Sequence, residues 1–333
     1  MKVGAIYVEV TSNCNLKCKY CYNNSGEEKF EIPIKLLNQV FDSCNKIGIN
    51  SIAISGGEPY LHKDIQKIIE LLKEKNFKSI VLITNGMSNR IFECISIMEY
   101  LDFLQISLDS VSPELNDLYR NFENCNIVKN NIKKLCDLGY NDKIVINCVI
   151  HQKNFYDINN LVLYAKKNKL KALNFEFLQP QGRANKNMII SDAEMLHKII
   201  NQLKIIKKEV DGEIEIGIPT IKSGCPFLKG LHNKVFPKID YEGNVFICDA
   251  LVDKKFVIGN INDDLLEDIL VIDRVKNKQP IFDKVNEKCT KCDRYMKCPG
   301  ACLSHCNAEL ENDEIICKYK NLNIFDKIFI NKI

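Results

Sequence analysis

From Val3 to Lys171 short β-branched runs alternate with longer amphipathic patterns, and that alternation leaves few folds open. Strands separated by helices pair in parallel through right-handed crossovers. Val3–Val10 reads as the first strand, followed by Ser51–Ser55, Ser79–Thr84, Phe103–Ser107, Lys143–Ile150 and Lys171–Phe177. Between them the helical period predicts helices at Ile34–Ile47, near Arg90–Met98, and over Asn126–Leu138 and Asp157–Lys167. Another helix is marked by Ile65, Ile68, Ile69 and Leu72, which stand at i, i+3, i+4 and i+7. About six βα units are too few for a closed eight-fold barrel. The expected fold is therefore α/β, an open, TIM-like partial (β/α)6 barrel.

A parallel sheet of this kind collects ligands at the C-terminal ends of its strands. The conspicuous polar sequences fall there. Cys14-Asn15-Leu16-Lys17-Cys18-Lys19-Tyr20-Cys21 follows strand one, and Gly56-Gly57-Glu58-Pro59 follows strand two. Thr84-Asn85-Gly86 closes strand three, Ser107-Leu108-Asp109 closes strand four, and Gly182-Arg183-Ala184 lies past strand six. Each alone reads as a turn; five on one rim point to a site. Thiols at offsets of four and three residues reach a common centre only on a tight loop. Three thiolates suit a [4Fe–4S] cluster with one open iron better than a closed zinc site, which takes four protein ligands. Spacing alone leaves two alternatives open: zinc completed by a distant residue, or three unrelated core thiols.

Composition narrows the choice. No signal peptide is visible, since Met1-Lys2-Val3-Gly4 runs directly into the first strand, and no apolar run approaches the ~18 residues of a membrane span. The chain is read as cytoplasmic, where thiols stay reduced, so its 16 cysteines point to metal rather than disulfides. Cys44, Cys94, Cys125, Cys136, Cys148 and Cys306 stand apart from the tight spacings at the two ends. With 46 Lys+Arg against 43 Asp+Glu the net charge is +3, which calls for neither nucleic acid nor a membrane surface.

After Pro180 the pattern changes. Ser191-Asp192-Ala193-Glu194 reads as a capping box, opening a helix with Leu196, Ile199, Ile200 and Leu203 on one face. A short strand, Glu213–Ile218, and Pro219 mark a border between domains at 1–217 and 218–333. Lys238–Tyr241 and Val245–Ile247 flank Glu242-Gly243 as a hairpin. Around it stand Cys225, Gly243-x4-Cys248, Cys289-x2-Cys292-x5-Cys298-x3-Cys302 and Cys317. A zinc ribbon is the plain reading of Cys-x2-Cys, but seven thiols do not divide into fours. In the tail, Ile324, Phe325, Ile328 and Phe329 form a helical stripe that is read as packing on its own domain.

Cys14-x3-Cys18-x2-Cys21, with Tyr20 before the third cysteine and Gly56-Gly57-Glu58-Pro59 downstream, resembles the radical S-adenosylmethionine (radical SAM) superfamily over roughly residues 3–185. The resemblance implies that Cys14, Cys18 and Cys21 hold a cluster whose open iron chelates SAM. It implies Tyr20 near the adenine and Gly56–Pro59, with Glu58, at the methionyl amino group. Thr84, Asn85, Ser107, Asp109 and Arg183 are further candidates for the ribose and carboxylate. Electron donation to the sulfonium would then give a 5′-deoxyadenosyl radical. The later cysteines resemble the SPASM domain, an extension carrying auxiliary [4Fe–4S] clusters. That likeness implies one cluster on Cys289, Cys292, Cys298 and Cys317 and another on Cys225, Cys248 and Cys302. Cys306 and His305 are candidates for the remaining iron.

The implied activity is post-translational modification of a peptide or protein. Its partners would be the peptide and a flavodoxin- or ferredoxin-type electron donor; with the first strand beginning by Val3, leader recognition would need a separate leader-binding protein, or none. The alternatives are oxidation of a small molecule, such as a haem-pathway precursor, and a non-catalytic iron–sulfur carrier or zinc module. Cys148, alternating with apolar residues on strand five, is a candidate hydrogen donor from the barrel interior; a packed core thiol is the plainer reading.

Overall fold

The computed structural model describes residues 3–27, 29–121, 123–179, 181–190, 192–219, 227, 235–291, 309–311 and 314–316. The chain runs β1 (Ala5–Glu9), α1 (Ile34–Lys46), β2 (Ser51–Ser55), α2 (Ile65–Glu74), β3 (Ser79–Thr84), α3 (Arg90–Glu93) and β4 (Phe103–Ser107). It continues with α4 (Pro113–Arg120), α5 (Asn124–Asp137), β5 (Ile144–Ile150), α6 (Ile158–Lys167), β6 (Ala172–Phe177), α7 (Ala193–Glu209) and β7 (Glu215–Gly217). Strands β1 to β7 pair in sequence order, all parallel. The open α/β barrel expected from the alternation is present, widened by β7 at one edge.

The other edge carries the cysteine-rich region. A hairpin of β8 (Lys238–Ile239) and β9 (Asn244–Phe246) adds to β1, and β10 (Val257–Asn260) follows antiparallel to β9. Tyr7 is in register with Lys238 and Val8 with Ile239. The segments expected to belong to two domains therefore share one sheet.

The two faces of the sheet differ sharply. Ile6, Val8, Ile52, Ile54, Ile80, Leu82, Leu104, Ile106, Ile146 and Leu173 are buried in one core with the apolar stripes of the helices. The stripe on α2 is the one read from the period, Ile65, Ile68, Ile69 and Leu72. Side chains one residue out of phase point the other way. Tyr7, Ala53, Val81, Gln105, Ser107, Asn147 and Asn174 are half-buried and line the inner face of the barrel.

This register corrects the reading of Cys148. It stands opposite Phe175 and belongs to the helix-covered core, while its neighbours Asn147 and Val149 take the inner face. Its thiol donates to the Asp109 carbonyl at 3.4 Å. A hydrogen donor working from the interior does not sit there. The cap of α7 is also shifted by one residue. Asp192, not Ser191, accepts from the amides of Glu194 and Met195 at 2.8 and 3.4 Å. Ser191 and the tail stripe at 324–329 lie outside the described residues. Among the described residues no helix is long and apolar enough to cross a membrane.

The face assignment has a direct check in urea unfolding. Ile146→Ala, under the helices, is expected to cost about 2–5 kcal/mol, whereas Gln105→Ala, on the inner face, changes stability by less than about 0.5 kcal/mol. The reverse order would mean that the two faces are exchanged.

Candidate functional site

The loop after β1 is held as a closed excursion. The Val10 amide continues the ladder to the Ser55 carbonyl at 2.9 Å, and the chain returns so that Ile32 N–H reaches the Val10 carbonyl at 2.9 Å. Thr11 and Glu31 form an antiparallel bridge at its neck. Inside, the Cys21 amide donates to the Cys18 carbonyl at 3.2 Å and the Gly26 amide to the Ser12 carbonyl at 2.9 Å. Cys14, Cys18 and Cys21 are all half-buried.

Burial pushes the Cys14 thiol up to about 12 and the Cys18 thiol up to about 11, the latter against the pull of Arg120. The loop thus gathers three thiols, and at Cys14 and Cys18 burial outweighs the positive charge nearby. That donor set fits a cationic iron–sulfur group, which deprotonates the thiols it binds. Among the described residues no three His, Cys, Asp or Glu side chains converge on a single metal ion. The thiolates of a cubane cluster bind separate irons and have no need to do so.

Gly56 and Gly57 explain how the second motif meets this loop. The Gly57 amide donates to the Thr11 carbonyl at 2.6 Å and the Glu58 amide to the Asn13 carbonyl at 2.7 Å. A Cβ on Gly56 would lie 2.4 Å from the Thr11 oxygen, and one on Gly57 would lie 2.3 Å from that of Asn13. No other residue type fits so close an approach. Pro59 then opens a single tight turn, Pro59–Leu61, capped by the Glu58 side chain.

The Glu58 carboxylate itself turns into the protein. One oxygen accepts from Thr84 Oγ1 at 2.7 Å and the Tyr60 amide at 3.2 Å, and the other accepts from the Asn85 amide at 2.8 Å. Burial pushes it up to about 7 in spite of these donors. Glu58, Thr84 and Asn85 are therefore brought together, but chiefly with one another; the part of the motif left half-exposed is the backbone of Gly56 and Gly57. The Asn85 side chain reaches back to the loop, donating to Asn15 Oδ1 at 2.8 Å with Cys14 Sγ at 3.9 Å.

Asp109 departs from the sequence reading. It forms a buried bidentate pair with Arg120, both bonds at 2.8 Å. The Val149 amide adds a third donor at 2.9 Å, and Tyr20 Oη donates to the same carboxylate. Four donors fill the acceptor sites of a carboxylate, so Asp109 has none left for a ribose. Tyr20 is accordingly buried against Leu178 and Met188, with its hydroxyl committed. Ser107 is half-buried on the inner face, in register with Asn147.

Arg120 was missed in the sequence, together with the helix that carries it. Pro113 behind Ser112 is an ordinary helix start and was the available signal. The end of that helix touches the cysteine loop: the Tyr119 carbonyl accepts from the Lys19 amide at 2.7 Å, and the Arg120 carbonyl from Cys18 Sγ at 3.4 Å. His151, equally unforeseen, packs its ring 4.4 Å from that of Tyr119, and burial pushes it down to about 4. On the far side Arg183 donates to the Cys18 and Ser25 carbonyls at 2.9 and 3.1 Å. Gly182, at φ +57°, leaves room for Cys21, whose carbonyl a Cβ would approach to 2.3 Å.

Cys248 follows β9 half-buried, and its thiol donates to Asp249 Oδ1 at 3.4 Å. Cys289 lies on the helix Gln279–Thr290. Cys225, Cys292, Cys298, Cys302, His305, Cys306 and Cys317 lie outside the described residues.

Comparison with known proteins places this geometry. A family profile described as the radical SAM superfamily matches residues 8–165, and one described as an iron–sulfur cluster-binding domain, SPASM, matches residues 236–293. The mitochondrial GTP 3′,8-cyclase of Arabidopsis thaliana is 30% identical over 224 residues, which are 62% of this chain and 55% of the cyclase. The chain thus spans little more than half of that relative. The antilisterial bacteriocin subtilosin biosynthesis protein AlbA of Bacillus subtilis is 27% identical over 333 residues, 96% of this chain and 72% of AlbA. The fold of Streptococcus suis SuiB, solved with its precursor peptide SuiA, overlays with a TM-score of 0.72 at 17% identity, covering 94% of this chain and 74% of SuiB. The probable GTP 3′,8-cyclase of Methanococcus aeolicus is 31% identical over 241 residues, 66% of this chain and 77% of the cyclase. The chain belongs to the radical SAM superfamily, its radical SAM region followed by an iron–sulfur SPASM domain.

Proposed function

We propose that the substrate is a peptide or protein, modified after translation by hydrogen abstraction at a side chain or α-carbon. The observation that carries this reading is the extent of the likeness. Similarity to the bacteriocin biosynthesis protein runs through 96% of the chain, whereas similarity to the Arabidopsis cyclase covers 62%. The cyclase likeness, at 30% identity, supports a second reading in which a nucleoside triphosphate takes the peptide's place.

In either case Cys14, Cys18 and Cys21 hold the SAM cluster, with the backbone of Gly56 and Gly57 toward the methionyl group and Tyr20 beside the adenine. When bound and reduced, the cluster and SAM supply a 5′-deoxyadenosyl radical able to take hydrogen from an unactivated C–H bond. The protein's own work is positional. Gly56, Gly57, Gly182 and Arg183 clamp the loop from two sides, and Asp109 with Arg120 supports Tyr20 and Cys18 from below. Ser107, Asn147 and Asn174 give the inner face hydrogen-bonding groups at one level across β4, β5 and β6. Thr84 and Asn85 act through Glu58 and Asn15.

For the SPASM region we assign Cys289, Cys292, Cys298 and Cys317 to one auxiliary cluster. Cys225, Cys248 and Cys302 take the other, whose fourth iron is open or filled by Cys306 or His305. Electrons come from a flavodoxin- or ferredoxin-type donor.

Anaerobic incubation of the reconstituted protein with SAM and dithionite is expected to release 5′-deoxyadenosine and methionine, and Cys18→Ala to abolish both. Candidate precursor peptides from neighbouring genes should raise 5′-deoxyadenosine release and change in mass, while GTP does neither. Conversion of GTP with no peptide modified would overturn the peptide reading. Iron analysis tests the cluster assignment: about twelve irons per chain are expected, falling to about eight in Cys14/Cys18/Cys21→Ala. Four or fewer irons with bound zinc in that variant would contradict two auxiliary clusters.

A further inference from the structure

A second buried ion pair lies where the barrel meets the cysteine-rich region. Lys238 Nζ stands 3.4 Å from Glu9 Oε1, with the two side chains 1% and 0% exposed. A pair so buried contributes little to stability beyond what apolar side chains of the same volume would. Its placement is more informative. Glu9 ends β1, just before the cysteine loop, and Lys238 begins β8, the hairpin strand that pairs with β1.

Both ends of the pair touch residues that stand close to cysteines in the chain. Tyr22 Oη and Asn23 Nδ2 donate to Glu9 Oε1 at 2.9 and 2.6 Å, and these are the two residues that follow Cys21. The Tyr22 hydroxyl also meets that of Tyr7 at 3.1 Å. Lys238 Nζ lies 5.4 Å from the centre of the Tyr22 ring and 4.8 Å from that of Phe246, which precedes Cys248 by two residues. One ammonium thus stands over rings from both chain segments. Among the described residues Glu9 Oε2 is buried and has no hydrogen-bond donor, so the contacts concentrate on the oxygen that faces the loop and the hairpin.

We propose that Glu9 and Lys238 are positioning residues that fasten the Cys21 end of the cysteine loop to the hairpin leading to Cys248 and set the field in which the N-terminal cluster is reduced. The proposal rests on the reading that Cys14, Cys18 and Cys21 hold that cluster. Reduction adds one negative charge. A nearby cation favours it and a nearby carboxylate opposes it, more strongly in a low-dielectric interior than in water. As a pair the two fields largely cancel. Removing one member leaves the other uncompensated, so the two single variants act with opposite signs.

The test is a potentiometric titration of the reconstituted 333-residue protein, followed by the electron paramagnetic resonance signal that changes on adding SAM. Glu9→Gln keeps an acceptor for Tyr22 and Asn23 and is expected to raise the midpoint potential. Lys238→Met is expected to lower it, and the double variant to return close to wild type. Lys238→Arg, which keeps the charge, should leave the potential in place and guards against a Lys238→Met protein that fails to load iron. Shifts in the same direction, or no shift in either Glu9→Gln or Lys238→Met with iron fully loaded, overturn the proposal. If Cys14/Cys18/Cys21→Ala keeps the SAM-responsive signal, the cluster assignment fails and the proposal with it. Loss of that signal beside unmoved potentials in the single variants overturns the pair alone.

Discussion

The structure depends on one close approach of backbone to backbone. At Gly56 and Gly57 the end of β2 comes so near the carbonyls of Thr11, Ser12 and Asn13 that no Cβ fits between them. The gap is bridged by the amides of Gly57 and Glu58, which donate to Thr11 and Asn13. This contact fixes the first residues of a loop that would otherwise be a polar excursion with no core of its own. Gly182 and Arg183 make the matching contact at its far end, on the carbonyls of Cys18, Cys21 and Ser25. The thiols are held between two glycine seams, each at the C-terminal end of a parallel strand. A cluster bound there would need little reorganisation from its protein ligands.

Beneath the loop lie charges that the barrel keeps from water. Glu58 links the end of β2 to the end of β3 through Thr84 and Asn85. Asp109 links the end of β4 to α4 and β5 through Arg120 and Val149, and Tyr20 of the loop closes onto it. Glu9 links β1 to β8 through Lys238. Each carboxylate stands at or just past a strand end and is engaged by neighbouring elements, Glu58 and Asp109 through both oxygens and Glu9 through Oε1. The rim is rigid for that reason: losing any one partner would leave a buried charge or acceptor unsatisfied, and such losses are costly.

Much of this could be read before the fold was known, and the failures have physical causes. Short β-branched runs located the strands, and the 3.6-residue period located the α2 stripe, where the apolar residues lie on one face. Facing within a strand was harder to read, as β5 shows. Val145, Ile146, Cys148 and Val149 put apolar residues on both faces, so the pattern could not say which way Cys148 points; pairing with Phe175 decides it. The cysteine triad and the Gly-Gly-Glu-Pro sequence were visible as motifs, but the side chains around them were assigned to the cofactor too freely. Asp109 is an exposed-looking carboxylate in the sequence and a saturated one in the fold, because Arg120 arrives from the next helix. The hairpin at Glu242-Gly243 was foreseen, whereas its attachment to β1 was not, since a two-residue parallel pairing leaves almost no trace in local sequence.

The Gly-Gly seam, more than the side chain of Glu58, holds the cysteine loop in the form proposed to bind the cluster. Gly57→Ala forces a methyl group against the Asn13 carbonyl and tests it directly. Measured as iron per chain and as SAM-dependent change in the cluster's paramagnetic signal, Gly57→Ala is expected to lose the N-terminal cluster's roughly four irons while keeping the auxiliary iron and the fold. A variant that loads the full iron content and responds to SAM as wild type does would contradict the account.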